Sequence, residues 1–260
     1  MRPKSALFEA AKMTYAPNSA ESRSQGRYPG RVSTSDLSSS TQDYLKAIWG
    51  LQEWSDSPVT ASVIGGRLGL KLSSVSDAVR KLTAQGLLEH APYGSVELTA
   101  TGRAHAVAMV RRHRLIETFL VRTLSYSWDE VHDEAERLEH AVSDLMVDRI
   151  DEFLGHPTRD PHGDPIPSPD GTTHRPDAVP LAVAPPGTSV RVARISDSDP
   201  ELLQYFAAEG VVMDAELEII PGDPFSGATV VRVAGRSNSI TLGAAAASAV
   251  WVSPQRARST

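Results

Sequence analysis

Two imidazoles and two carboxylates recur within one short run, Val131–His140, which reads Val-His-Asp-Glu-Ala-Glu-Arg-Leu-Glu-His. On a helix at 100° per residue, His132, Glu136, Glu139 and His140 fall within an arc of roughly 100°. The apolar residues Val131, Ala135, Leu138, Val142 and Leu145 fill the neighbouring face. A second helical stretch, with Val110, His113, Glu117 and Leu120 three or four residues apart, sets another His/Glu pair beside apolar positions. Nitrogen and oxygen donors one turn apart present lone pairs to one point, which is what a divalent transition metal requires. The same pattern also describes a solvated acidic face, since most charged helix stripes are just that.

The elements that would position these donors come from the rest of the chain. Its 260 residues, 40% hydrophobic, suffice for one large domain or two to three small ones. The absence of cysteine removes disulfides, zinc–thiolate sites and thiol nucleophiles, and accords with a reducing compartment. No apolar run approaches the roughly 20 residues of a membrane span and no signal peptide is visible, so a soluble cytoplasmic protein is expected. The net charge of −6 is unevenly spread: residues 118–175 carry 5 Lys+Arg against 13 Asp+Glu, whereas residues 1–35 carry 6 against 2. Acidity therefore gathers around the donor stripe and leaves the N-terminal half neutral to basic, which keeps nucleic acid open as a partner.

Taken in order, residues 1–35 lack hydrophobic period and read as a flexible, mildly basic arm. Residues 36–107 read as a winged helix. A first helix buries Tyr44, Leu45 and Ile48; Val63, Ile64 and Leu68 stripe a second; Gly69 turns the chain. A third helix, capped by Ser73 or Ser74, buries Val75, Val79 and Leu82, and a small hairpin follows around Pro92-Tyr93-Gly94-Ser95. Such a fold lays its later helix in the major groove, so Ser73, Ser74, Asp77 and Arg80 are candidate DNA-facing residues, with Lys71 on a phosphate. Residues 108–155 form helices carrying the donors, continuing through Asp144–Leu154, with apolar surplus enough for a dimer interface. Residues 156–188 hold many of the prolines and read as a semi-stiff linker whose His156, His162 and His174 are solvated. Residues 189–253 alternate as short strands around one helix capped by Asp199, an SH3-like barrel, and 254–260 form a tail. The fold class expected is mainly α with β.

At Met109-Val-Arg-Arg-His113-Arg-Leu-Ile-Glu117, at Val131–His140 and at Asp160-Pro-His-Gly-Asp-Pro-Ile-Pro167, the chain resembles the diphtheria toxin repressor family of metal-dependent bacterial regulators. The likeness covers about residues 36–253 and is nearest to the family's manganese-responsive actinobacterial branch. It implies the domain order just read, with an SH3-like (FeoA-like) barrel at the end, and two metal sites. One would use Asp43, Glu136, Glu139 and His140. The other would use His113, Glu117 and His132, completed in some members by the barrel, where Asp197, Asp199 and Glu201 are the nearby oxygen donors. Iron-responsive members have a thioether at the position of Asp43 and a thiol at that of Glu136. Hard oxygens at both positions suit Mn2+, with Fe2+, Co2+ or Ni2+ as alternatives. Some barrel-less manganese regulators place a glutamate ligand at the position of Lys46, which cannot ligate at neutral pH.

The resulting expectation is no enzyme but a homodimeric, metal-activated transcriptional repressor of metal-homeostasis genes. Its partners would be palindromic double-stranded operator DNA and a second copy, with neither a membrane nor a small-molecule substrate. Converging carboxylates would repel without metal, and a cation would tie the DNA-binding domain to the dimerisation helices. The rival reading is a helical carboxylate/His metalloenzyme or storage protein, because Glu136-x-x-Glu139-His140 also fits metal clusters of helical bundles.

Overall fold

Helix α1 (Ser39–Glu53) starts where Ser38 caps it, its hydroxyl accepting the backbone N–H of Thr41. The computed structural model describes residues 37–90, 94–223 and 226–254. The arm expected over 1–35, the hairpin tip at Pro92 and Tyr93, and the tail beyond 254 lie outside the described residues. Helix α2 (Ala61–Leu68) ends at Gly69, whose φ of 66° reverses the chain into α3 (Leu72–Ala84). Strands β1 (Leu88–His90) and β2 (Val96–Leu98) pair antiparallel, Leu88 opposite Leu98. Leu45, Ile48, Ile64, Val75, Leu82 and Leu88 form the core of this winged helix.

Two local expectations are corrected. Val63 is 44% exposed rather than part of the buried stripe, because Ile64 and Gly65 take the inward face of a helix only eight residues long. Ser73 and Ser74 do not cap α3: Lys71 occupies the cap position without a side-chain bond, which leaves both serines exposed in the first turn.

Helix α4 (Ala100–Leu124), about 37 Å long, joins this domain to the donor region. A Cβ on Gly102 would meet the carbonyl oxygen of Leu87 at 2.0 Å, so glycine there lets α4 press against the wing. Helices α5 (Val131–Leu138) and α6 (Asp144–Phe153) follow. The continuous run expected here is broken. Arg112, buried in α4, donates to the carbonyls of Glu139 and Val142 and pairs with Asp144. Those contacts hold residues 139–143 in a turn, from which Ser143 caps α6. Leu145, expected on the buried face, is 67% exposed for the same reason.

Residues 156–168 were expected as part of a linker, yet much of this stretch is packed. Asp160, His162 and Asp164 are buried, and Asp160 Oδ1 accepts from the backbone N–H groups of both His162 and Asp164. The chain then forms β3 (Val179–Pro180), β4 (Ser189–Ile195), α7 (Pro200–Glu209), β5 (Glu216–Ile220), β6 (Thr229–Val233), β7 (Ser239–Leu242), α8 (Ala244–Ser248) and β8 (Val250–Pro254). Six antiparallel strands in the order β3-β8-β4-β5-β6-β7 enclose Val192, Ile195, Phe206, Val231 and Val252. A bulge between Val192 and Arg194 re-aims β4. The Arg194 guanidinium then lies 4.5 Å from the ring centre of Trp54 and 4.3 Å from that of Trp251. Asp164 accepts from both Arg194 Nε and Trp54 Nε1 at 2.7 Å, so this junction fastens the barrel to the end of α1.

Candidate metal centre

Three helices and one barrel loop converge on the donors. From α4, His113 and Glu117 point to one place because they are one turn apart, and both are buried. His113 Nε2 lies 3.0 Å from Glu117 Oε1 and 3.2 Å from His132 Nδ1 of α5. His132 Nδ1 in turn lies 3.2 Å from Glu117 Oε1 and 3.1 Å from Asp197 Oδ2, which follows β4. Four donors from three elements therefore face one small volume. Burial would push the histidines down, but Glu117 and Glu139 hold His113 up at about 9, and Asp197 and Glu117 hold His132 up at about 10. Glu117 is held below the usual carboxylate range against its burial, chiefly by His113.

The second group sits between α1 and the turn after α5. Asp43 Oδ1 lies 2.9 Å from His140 Nε2, and Glu139 Oε1 is 3.5 Å from the same nitrogen. The other ring nitrogen of His140 is 2.7 Å from Gln42 Oε1. With His140 Nδ1 donating to Gln42, Nε2 would offer its lone pair to a cation shared with Asp43, Gln42 setting the tautomer of the ring. Glu139 is fully buried and joins the two groups: its Oε2 is 2.5 Å from His113 Nδ1.

Lys46 corrects the picture of unrelieved carboxylate repulsion. Its Nζ lies 2.5 Å from Glu136 Oε1 and 2.6 Å from Glu139 Oε1, so a cation tethered to α1 already compensates that pair. Burial disfavours the ammonium, yet Glu139 and Glu136 outweigh it and raise its pKa. Burial pushes the Asp43 carboxyl up.

Donor atoms of Asp43, Glu139 and His140 come within 4.8 Å of one another; so do those of His113, His132 and Glu136, and those of Glu117, His162 and Asp197. The geometry thus sets Glu136 with the two histidines, where the resemblance set it with Asp43. Of the three barrel carboxylates, only Asp197 arrives. Asp199 is exposed and caps α7 by accepting from Leu202 N–H, and Glu201 is exposed in that helix's first turn. His162, expected in solvent, is fully buried beside Glu117. Gln42 and His162 escaped the sequence reading because their partners lie 98 residues away, for Gln42 and His140, and 34 residues away, for His162 and Trp128. The Asp160–Asp164 motif was the one signal that could have pointed to His162.

The residues fit a divalent ion by chemistry: imidazoles and carboxylates dominate, no thiolate is present, and one buried ring nitrogen, His162 Nδ1, has no hydrogen-bond partner among the described residues. Lys71, which begins α3, and Ser73, Ser74, Asp77 and Arg80 within it are exposed, with Arg80 3.1 Å from Asp77. The side chains that could meet DNA therefore project from the face away from the domain core.

Family models match three consecutive parts of the chain. The N-terminal DNA-binding domain of iron-dependent repressors matches residues 36–96, their metal-binding and dimerisation domain residues 99–168, and the FeoA domain residues 179–254. The iron-dependent repressor IdeR of Mycobacterium leprae is 34% identical over 220 residues, 80% of this chain and 94% of the relative. The diphtheria toxin repressor of Corynebacterium efficiens is 35% identical over 195 residues, 71% and 84% of the respective lengths. Among solved structures, a manganese-dependent transcriptional repressor in complex with manganese is 50% identical, with a TM-score of 0.79 over 83% of this chain and all of that one.

Proposed function

The chain belongs to the diphtheria toxin repressor family of iron- and manganese-dependent regulators, and we propose that it is a Mn2+-activated dimer acting on palindromic operators. It is a metal-dependent transcriptional repressor with a family dimerisation domain, and not an enzyme, which sets aside the metalloenzyme reading. No helix is long and apolar enough to cross a membrane among the described residues. The observation that carries the proposal is the meeting of Asp43, on the first helix of the DNA-binding domain, with His140 and Glu139, on the donor turn.

In this reading Asp43, Glu139 and His140 form one site, which Glu136 joins on leaving Lys46 and the two histidines beside it, and His113, Glu117, His132 and Asp197 form the other. A bound ion supplies two positive charges and open coordination positions at each. Asp43 then ties α1 to the turn after α5, Gln42 keeps the His140 ring oriented, and Glu139 couples the two groups through His113. Lys46 gives way from the Glu136–Glu139 pair. Leu145, Met146 and Phe153, exposed on α6, supply an apolar face for the second copy. Fixing α1 against the dimerisation helices narrows the spread of distances between the two α3 helices, and two half-sites select that ordered state.

The choice of Mn2+ rests on the two oxygen donors, Asp43 and Glu136, where iron-responsive relatives place sulfur. Ligand affinity alone ranks Fe2+ above Mn2+, so discrimination comes from hardness and geometry. The test is DNA binding against free metal for Mn2+ and, anaerobically, Fe2+, in the wild type and in the double variant Asp43→Met, Glu136→Cys. The double variant is expected to shift activation toward Fe2+, Co2+ and Ni2+. An unchanged ratio of Mn2+ to Fe2+ midpoints overturns the assignment of selectivity to this site. Arg80→Ala is expected to weaken operator binding and to flatten its salt dependence by about one counterion, with Mn2+ affinity off DNA unchanged.

A further inference from the structure

Behind Glu117 lies a histidine that none of the expected ligand sets includes. His162 has a fully buried side chain, and its Nε2 donates to the carbonyl of Trp128 at 2.6 Å. That bond keeps a proton on Nε2, so in the neutral ring, the form that can ligate, Nδ1 carries the lone pair. Nδ1 has no hydrogen-bond partner among the described residues and lies 4.0 Å from Glu117 Oε2. Glu117 thus uses its two oxygens on two sides, Oε1 toward His113 and His132 and Oε2 toward His162. The donor atoms of Glu117, His162 and Asp197 fall within 4.8 Å of one another. A buried acceptor nitrogen without a partner is costly, whereas a ring whose other N–H is held by a backbone carbonyl is the usual form of a metal-bound histidine.

The loop around His162 is built to keep it there. Asp160 Oδ1 accepts the N–H groups of His162 and Asp164, and the carbonyl of His162 accepts from Ile195 N–H at 2.9 Å. Gly163 has φ of +92°, and a Cβ on it would stand 2.3 Å from the carbonyl oxygen of Ala193. The Trp128 ring stacks nearly parallel to the imidazole, centroids 6.1 Å apart. Close backbone approach on one side and a ring on the other leave the imidazole little rotational freedom.

We propose that His162 Nδ1 is a further ligand of the divalent ion held by His113, Glu117, His132 and Asp197. This deepens the function proposed above and rests on it. Five protein donors then leave one position of a six-coordinate ion for water, and the proline-rich segment becomes part of the metal centre rather than a tether. The ion is thereby gripped from α4, α5, the 156–168 segment and the barrel together, so its loading fastens the barrel to the dimerisation helices.

The test counts coordinated imidazoles on the full-length dimer loaded with Mn2+, by pulsed electron–nuclear spectroscopy with 14N- and 15N-histidine. It compares wild type with His162→Gln, whose amide nitrogen can keep the Trp128 bond while the Nδ1 donor is lost. Wild type is expected to show four directly bound imidazoles, those of His113, His132, His140 and His162, and the variant one fewer. Its Mn2+ affinity at that site is expected to fall about 10–100-fold. An equal count in the two proteins overturns the proposal whatever the affinity change, because a packing role moves affinity but not the count. Should the variant fail to fold, the wild-type count decides alone, three imidazoles overturning the proposal. Failure of wild type to bind Mn2+ through any imidazole overturns the metal-site reading itself, which distinguishes the two failures.

Discussion

The two donor groups differ in how they meet charge. Glu117 itself is closed off, at 1% accessibility, with buried His113 and His162 and the partly exposed His132 and Asp197 around it. In the other group Asp43 is partly open and Glu139 fully buried, and the cation is Lys46, carried on the same helix as Asp43. The first group joins the barrel to α4 and α5 through His132, which meets both Glu117 and Asp197. The second joins α1 to the donor turn, and in the proposed function a divalent ion would contest with the tethered Lys46 ammonium for the same carboxylates. Similar carboxylates close in sequence thus meet different cations, imidazoles around Glu117 and a tethered ammonium at the Glu136–Glu139 pair.

The sharpest break of this contrast is Glu117→Gln. Removing one member of a buried charge cluster leaves two raised imidazoles without their common partner, so unfolding free energy should fall by about 3–5 kcal/mol. Mn2+ affinity should fall more than about a hundredfold, beyond what loss of a group that only orients a ligand costs. Urea unfolding and equilibrium dialysis measure both, and an unchanged urea midpoint would make the two groups alike. His140→Ala should instead lose Mn2+-dependent operator binding, read by gel shift, while stability stays within about 1 kcal/mol, as expected where burial is incomplete.

Lys46→Met sharpens the comparison from the other side. With the tethered ammonium gone, the Glu136–Glu139 pair is left for the ion, and Mn2+ affinity at the Asp43 site should rise about tenfold, one pKa-unit equivalent of lost competition. Calorimetric titration checks it; weaker binding would mean that Lys46 organises the site instead of contesting it.

The buried imidazoles also set a pH dependence of the protein without added metal. His113 and His132 stand near 9 and 10 against an ordinary 6.5, so the folded chain holds protons that the unfolded chain releases above 6.5. Their contribution is complete below about 6.5 and declines as pH rises through 9 to 10, with a slope of about 1.4 kcal/mol per pH unit for each net proton. Urea midpoints taken with a chelator from pH 6.5 to 9 should fall; a flat or rising series would remove the imidazolium cluster from the argument.

Much of this protein was written locally. The cap at Ser38, the reversal at Gly69, the 25-residue α4 and the alternation of β4 to β7 follow from short-range rules, because caps, glycine turns and periodicity need only neighbours. His113 with Glu117, and His132 with Glu136, were legible as donor pairs because helical spacing places them on one face. What only tertiary structure decided lies across long loops. The buried Arg112 fork ended α5 at Leu138 and moved Glu139 and His140 into a turn. The β4 bulge and Gly163 seated a proline-rich segment against the barrel and buried His162. Asp197 reached His132 while Asp199, two residues on, was taken by a helix cap. Periodicity tells which side chains share a face, but a pairing such as His132 with Asp197 forms only when separate elements have packed. Burial and the distances between these donors are therefore properties of the assembled fold.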